Sequence, residues 1–317
     1  MAPSEYGASG GYGSDTGPSA PRGGVSPRIG VLQTGAAGTA APAPLFPNLT
    51  YKGGPVVASP QVYASFWGDG WTGGALKTRA DNLTQFMKDL IVSRFANILH
   101  QYGVGPGVYK GTSFVKDNVT ADLKQADFES ILQQMIDSNV IPEPAEQQTC
   151  VMIFLKDGIS VHDGNIVMCA AEHDVAFGFH KYMTTRNGHL LWFAVVPALG
   201  NDCVQASCPD GDNGCPLKLG SAQESRITQI ASHEYAEITT DPHLDAWIDH
   251  NASVGEIGDI TNGNAARIVV EGRSWTVQMI YSKFHDTGVP GLSYALANAE
   301  HPVPLLPGGP VAATHSM

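Results

Sequence analysis

His233 and Glu237 stand four residues apart in the run Ala231-Ser232-His233-Glu234-Tyr235-Ala236-Glu237. On a helix that spacing puts both side chains on one face. An imidazole and a carboxylate so placed can grip a cation between them. Glu234, beside them, offers a second carboxylate, which could serve as general base toward a water at the same point. Thr240-Asp241-Pro242 stops the helix sharply. Gly255-Glu256-Ile257-Gly258-Asp259 follows about twenty residues beyond Glu237, after Trp247-Ile248-Asp249. A chain that turns back there would carry Glu256 to the same ion, with Asp259 behind it to orient a ligand.

The elements that must position these groups are readable from periodicity. The 221–240 stretch reads as a helix with Ile227, Ile230, Ala231 and Ile238 as its apolar stripe. Glu234 falls inside that stripe, and His233 and Glu237 lie along its edge. A carboxylate facing a core is costly unless it is paired. A bound cation is one solution; an Arg or Lys partner, or contact with water at the helix edge, is another. Upstream, residues 55–67 have a strand composition, closed by Gly68-Asp69-Gly70. Residues 79–100 carry apolar positions at three and four, predicting an amphipathic helix. A strand at 108–115, a helix at 122–137 and nearly all-apolar strands at 149–155 and 190–196 follow. Residues 266–270 and 274–280 suggest a hairpin around Glu271-Gly272-Arg273. Helices between strands predict an α/β domain, with α+β as the neighbouring possibility, built as a mixed sheet with packed helices.

The domain is expected to span 48–300 as one globular unit. Residues 1–45, rich in Gly, Ser, Ala and Pro, are expected to form a disordered tail, and 301–317 a flexible one. A net charge of −12 argues against nucleic acid or an anionic membrane as partner, and no run resembles a membrane span. A monomer acting on a peptide or cell-wall substrate is the expectation. Of five cysteines, Cys150, Cys169, Cys203, Cys208 and Cys215, at least one is left over. Bridges among the last four and free thiols are both open readings, and no Cys-x-x-Cys pair suggests a zinc knuckle. Asn48, Asn82, Asn118 and Asn251 head glycosylation sequons, which matter only on a eukaryotic secretory route. Residues 1–30 contain no apolar segment of signal-peptide length. Export by another route, a missing leader and retention inside the cell all fit that. Asp210-Gly211-Asp212-Asn213-Gly214 lacks the closing Glu of a calcium loop and reads as a surface turn.

The motif helix is close to the His-Glu-x-x-His helix of zinc peptidases, with Glu in the second ligand position. One group of those peptidases takes a third ligand from a Glu at about the distance of Glu256. The chain also resembles the phosphate-induced (exordium-like) proteins over about 48–285. The resemblance rests on Tyr51-Lys52-Gly53-Gly54-Pro55-Val56-Val57, Val62-Tyr63-Ala64-Ser65-Phe66-Trp67-Gly68, Gly178-Phe179-His180 and the 231–242 and 255–259 segments. The microbial branch of that family shows a Ser-His-Glu-x-Ala-Glu-x-x-Thr-Asp-Pro stretch like this one, whereas the plant branch lacks the His-Glu pair. The resemblance implies an extracellular or cell-wall setting and singles out His180 as a further ligand ahead of His173, His243, His250 and His285. With His233, Glu237 and Glu256 around it, zinc would be a weak Lewis acid, and calcium or manganese would suit the oxygen donors better.

Three functions compete. The first is a zincin-type metal-dependent hydrolase, acting on peptides outside the cell, with Glu234 as base. The second is a non-catalytic exordium-like protein in which the cluster is a structural metal site or a polar network. The third is a carbohydrate-active enzyme using Glu234 and Glu256 as paired carboxylates.

Overall fold

The computed structural model describes residues 47–163, 166–168, 175–207, 217, 221–249, 255–287 and 294–310. The tail expected at 1–45 lies outside them, as do Cys169, Cys208, Cys215, the 210–214 turn, His173 and His250.

Five strands form the central sheet: Gln61–Trp67 (β1), Val108–Val115 (β2), Thr149–Leu155 (β3), Phe179–Thr184 (β4) and Leu190–Val196 (β5). Their order across the sheet is β2-β1-β3-β5-β4. All neighbours run parallel except β4, which pairs antiparallel with β5 at one edge. The fold is therefore α/β with a mixed sheet. Helix Gly74–Leu90 (α1) connects β1 to β2, and helix Gln125–Asp137 (α2) lies between β2 and β3. Helix Gln223–Thr240 (α3) follows β5.

Side-chain alternation sorts the sheet into two cores. Val62, Ala64, Phe66, Met152, Phe154, Trp192 and Ala194 face α1 and α3. Tyr63, Trp67, Val151, Ile153, Leu155, Phe193 and Val195 face α2, where Phe128 stacks on Trp67 and Phe193. Every residue of β3 is buried, because this central strand is covered on both faces. A hairpin, Ala265–Val270 (β6) with Arg273–Gln278 (β7), packs on the far side of α3. Its two-residue turn holds Glu271 and Gly272 both at positive φ, the twist that matches a hairpin. Helix α3 consequently has no wet face: every residue from Arg226 to Thr240 is buried. The stripe read from the sequence is one of several packed faces.

Some boundaries differ from the sequence reading. The first strand begins at Gln61, after Pro60, which has no N–H to give to a ladder. The helix expected over 79–100 ends at Leu90, with short turns at 96–102. Ser93 explains the break: its hydroxyl donates to the Leu90 carbonyl and accepts the Phe95 N–H, at 2.9 and 3.1 Å, in place of helical bonds. Residues 303–306, read as part of a flexible tail, are instead tied to the domain. Val303 and Leu306 donate their N–H groups to Asn97 and Gln101. Val303 is also buried, and that apolar contact was not legible among the surrounding prolines.

Candidate metal centre

The motif residues occupy the second half of α3, and three other segments close around them. Strand β4 supplies His180, the end of α3 supplies Asp241, and the 255–261 segment supplies Glu256 and Asp259. That last segment is strapped in place. The Gln278 side-chain amide donates to the Gly258 carbonyl at 2.7 Å, while the Gln278 N–H donates to Ser232 on α3 at 2.9 Å. Tyr281 N–H bonds Ile257 O, and Asp249 N–H bonds Gly255 O.

The structure brings His180, His233, Glu234, Glu237, Glu256 and Asp259 together, all of them buried. His180 Nδ1 is 3.6 Å from Glu234 Oε2 and 3.7 Å from Glu237 Oε2. His180 Nε2 is 3.5 Å from Glu256 Oε1 and 3.3 Å from the Asp241 carbonyl oxygen. His233 Nε2 is 2.9 Å from Glu237 Oε1 and 3.8 Å from Asp259 Oδ1. His243 and His285 lie elsewhere, the first against Asp245 and the second against Ser282 and Tyr294.

Most of these atoms have no hydrogen-bond partner. Among the described residues, both oxygens of Glu234, Glu256 and Asp259, Oε1 of Glu237, Oδ2 of Asp241, both nitrogens of His233 and Nδ1 of His180 are buried without a well-directed hydrogen bond, the 2.9 Å His233–Glu237 approach being an ion-pair contact. Buried polar groups in folded proteins are almost always paired, and an unpaired buried charge costs several kcal/mol. Among the described residues no Lys or Arg pairs with any of the five carboxylates. The spacings have a simple meaning. Apart from the 2.9 Å His233–Glu237 contact, the side-chain spacings of 3.5–3.8 Å are too long for hydrogen bonds. They are close to the separation of about 3.4 Å between two donors held tetrahedrally at about 2.1 Å from one ion.

Electrostatics agrees. Burial pushes Glu234 upward, and it lifts Glu256 and Asp259 well above the carboxylate range, with repulsion from Glu237 adding to both. Asp241 is pushed up to about 7, chiefly by burial. Burial pulls the histidines down, but the acids override it. His180 ends raised by Glu234 and Glu237, and His233 is raised to about 10, first by Glu237. These are the directions of a cluster short of positive charge.

Space is reserved as well. A Cβ on Gly258 would sit 2.7 Å from His233 Nδ1 and 2.8 Å from Glu237 Oε1, and one on Gly178 would collide with Glu234 and Ile230. Neither glycine has a positive φ; close approach is what each position requires. Donor set, spacing, unpaired atoms and cradle all fit a divalent cation.

Three participants escape a sequence reading. Asp241 reads as a helix stop and does serve the turn, since its Oδ1 accepts the N–H groups of Asp245 and Ala246 at 2.8 and 2.7 Å. Its carbonyl oxygen nevertheless reaches the cluster, 3.3 Å from His180 Nε2. An Asp kept before Pro at the end of a His-Glu helix was the available signal. Gly178 and Gly258 gave none, because the need for space appears only in three dimensions. Of the cysteines, Cys150 is a buried free thiol and Cys203 is disulfide-bonded. No described helix is long and apolar enough to cross a membrane. Compared with protein-family models, with curated proteins and with solved structures, the chain matches none.

Proposed function

We propose that this protein is a divalent-metal protein whose buried His/Glu/Asp cluster is a closed, structural centre. The ion would pin β4, α3 and the 255–261 segment to one another, in a protein of the exordium-like, extracellular or cell-wall-associated kind. One observation carries the reading: every donor is sealed, with side-chain exposures of 0–2%. Structural metal sites are closed by protein ligands, whereas catalytic ones keep a position open to substrate. A bound divalent cation would supply the charge that the five carboxylates lack. Zinc fits the imidazoles, and manganese or calcium fits the carboxylate majority.

A zincin-type hydrolase is the second reading, and a specific observation favours it. The His-Glu-x-x-Glu helix lies beside β4, the antiparallel edge strand, where an extended peptide can add by strand pairing. In that reading Glu234 takes a proton from water and Asp259 holds His233, and the 255–261 segment must move to admit substrate. The paired-carboxylate carbohydrate reading has less support, because Glu234 and Glu256 are both buried, at 0% and 1% exposure.

Metal analysis of the purified full chain, together with peptide-hydrolysis assays on wild type and Glu234→Gln, separates these readings. Stoichiometric metal with no turnover is the expected result. Turnover that Glu234→Gln abolishes while metal is retained would establish the hydrolase instead. A chain that takes up no divalent ion in any form would overturn both.

A further inference from the structure

We propose that the centre takes two divalent ions, bridged by the carboxylate of Glu237. His233 and Asp259 would complete one position, and His180 and Glu234 the other. The proposal rests on the metal reading above and goes beyond it in number and arrangement.

The geometry of Glu237 is the first support. Its two oxygens face different histidines: Oε1 is 2.9 Å from His233 Nε2, and Oε2 is 3.7 Å from His180 Nδ1. The donors accordingly fall into two sets, His233/Glu237/Asp259 and His180/Glu234/Glu237, each with its ligand atoms within 4.8 Å of one another. The sets share Glu237 alone. A carboxylate that offers one oxygen to each of two neighbouring cations is how paired ions about 3.5–4 Å apart are commonly held.

Each lobe also has its own supporting structure. On the His180 side, a proton on Nε2 can be donated to the Asp241 carbonyl 3.3 Å away, which leaves Nδ1 bare toward Glu234 and Glu237. A carbonyl that accepts from the ring's other nitrogen, and so fixes the tautomer, is the usual companion of a ligating histidine. On the His233 side, the Nδ1 edge of the ring lies against Gly258. Gly178 flanks the Glu234 lobe and Gly258 the His233 lobe, so each has its own cleared approach. Both side chains that define the second lobe, His180 and Glu234, are fully buried, and His180 Nδ1 and both Glu234 oxygens are unsatisfied.

Charge decides between one ion and two. Glu234, Glu237, Asp241, Glu256 and Asp259 bring five carboxylates, all buried. One dication would leave most of that charge uncompensated in a low-dielectric interior, whereas two nearly balance it with neutral imidazoles. Glu256, with both oxygens unsatisfied and Oε1 3.5 Å from His180 Nε2, is placed to add a further oxygen or to orient His180.

The test uses the full chain, stripped with a chelator and reloaded with manganese(II) or zinc(II). Elemental analysis gives the stoichiometry, and electron paramagnetic resonance of the manganese form reports whether ions are coupled. We expect two equivalents per chain and the exchange-coupled spectrum of a bridged pair. His180→Ala should retain one equivalent with an isolated-ion spectrum, as should His233→Ala. Glu237→Gln should abolish the coupling. Glu234→Gln and Asp259→Asn repeat the single-lobe test with near-isosteric changes, should the alanine variants fail to fold by circular dichroism. One equivalent in wild type, unaltered by His180→Ala and Glu234→Gln, would overturn the two-ion proposal and leave the metal centre standing. No bound ion at all would instead remove the metal reading beneath it.

Discussion

Asp89 and the α3 cluster are both buried acidic sites, yet the chain treats them in opposite ways. Asp89, on α1, receives Arg273 Nε and Nη2 at 2.8 Å each, Trp275 Nε1 at 2.7 Å and Gln85 Nε2 at 2.8 Å. Both of its oxygens are satisfied by a forked guanidinium and two neutral donors. Around Glu234, Glu237, Glu256 and Asp259 the same chain places more carboxylates and only two imidazoles. A protein that can bring Arg273 to Asp89 across the fold can neutralise a buried acid from its own residues. Among the described residues no guanidinium or ammonium reaches those five acids, and positive charge of that kind is what the proposed ion would supply.

The largest effect should separate the two sites through metal. Adding manganese or zinc to chelator-treated protein, at 100-fold above the dissociation constant, should stabilise it by about 3 kcal/mol per ion. That corresponds to a rise of at least roughly 5 °C in melting temperature. The rise should vanish in Glu237→Gln and survive intact in Asp89→Asn. An equal rise in both variants would mean that the ion binds elsewhere.

Neutralising substitutions should then act with opposite signs on the metal-free protein at pH 8. Asp89→Asn removes charge-assisted hydrogen bonds and should cost about 1.5–3 kcal/mol in denaturant unfolding. Glu256→Gln removes a buried acid whose ionisation the surroundings oppose and should stabilise, by about 1 kcal/mol. Destabilisation by both would show that Glu256 has a partner within the protein.

The pH dependence should also be opposed. Burial lifts Asp241 to about 7 in the folded state, above its unfolded value near 3.9. The folded metal-free protein therefore holds that proton more tightly than the unfolded chain. Its stability should fall as pH rises from about 4 to about 7, and saturating metal should flatten the trend. For Asp89, burial raises the pKa, but Arg273, Trp275 and Gln85 override it and leave it below the ordinary carboxylate value. Its contribution is present above about 4 and is lost as pH falls through the folded value. Thermal melts from pH 3 to pH 8, with and without metal, would expose both slopes; a metal-free profile that only rises or only falls across that range would contradict the contrast.

The smallest effect tests how fully Asp89 is served. Trp275→Phe removes one of its donors and should cost about 1 kcal/mol without altering metal content.

What could be read beforehand follows the range of the interactions. The strands at β3 and β5 and helix α3 announce themselves through local patterns, and His233 and Glu237 through a four-residue spacing. Glu256 and Asp259 are legible because a helix stop and a short return precede them. His180 has no local signal, since 53 positions separate it from His233; it entered only through a family resemblance. The Asp89–Arg273 pair joins residues 184 apart, and no spacing rule reaches that far. The helix break at Ser93 was hidden for a different reason. The apolar period continues through it, while a single hydroxyl diverts the backbone bonds.

The enclosure of α3 bears on how the chain reaches this state. From Arg226 to Thr240 every side chain is inside, against β4, β5 and the β6–β7 hairpin. A helix without a wet face gains little by forming early, because each contact requires a distant segment to have arrived. Its packing is expected to be completed after the main barrier, in which case variants that loosen α3 should hasten unfolding and leave the folding rate nearly untouched, as stopped-flow kinetics would show. The lifetime of the native protein, more than the speed of its formation, is then set by what this helix holds.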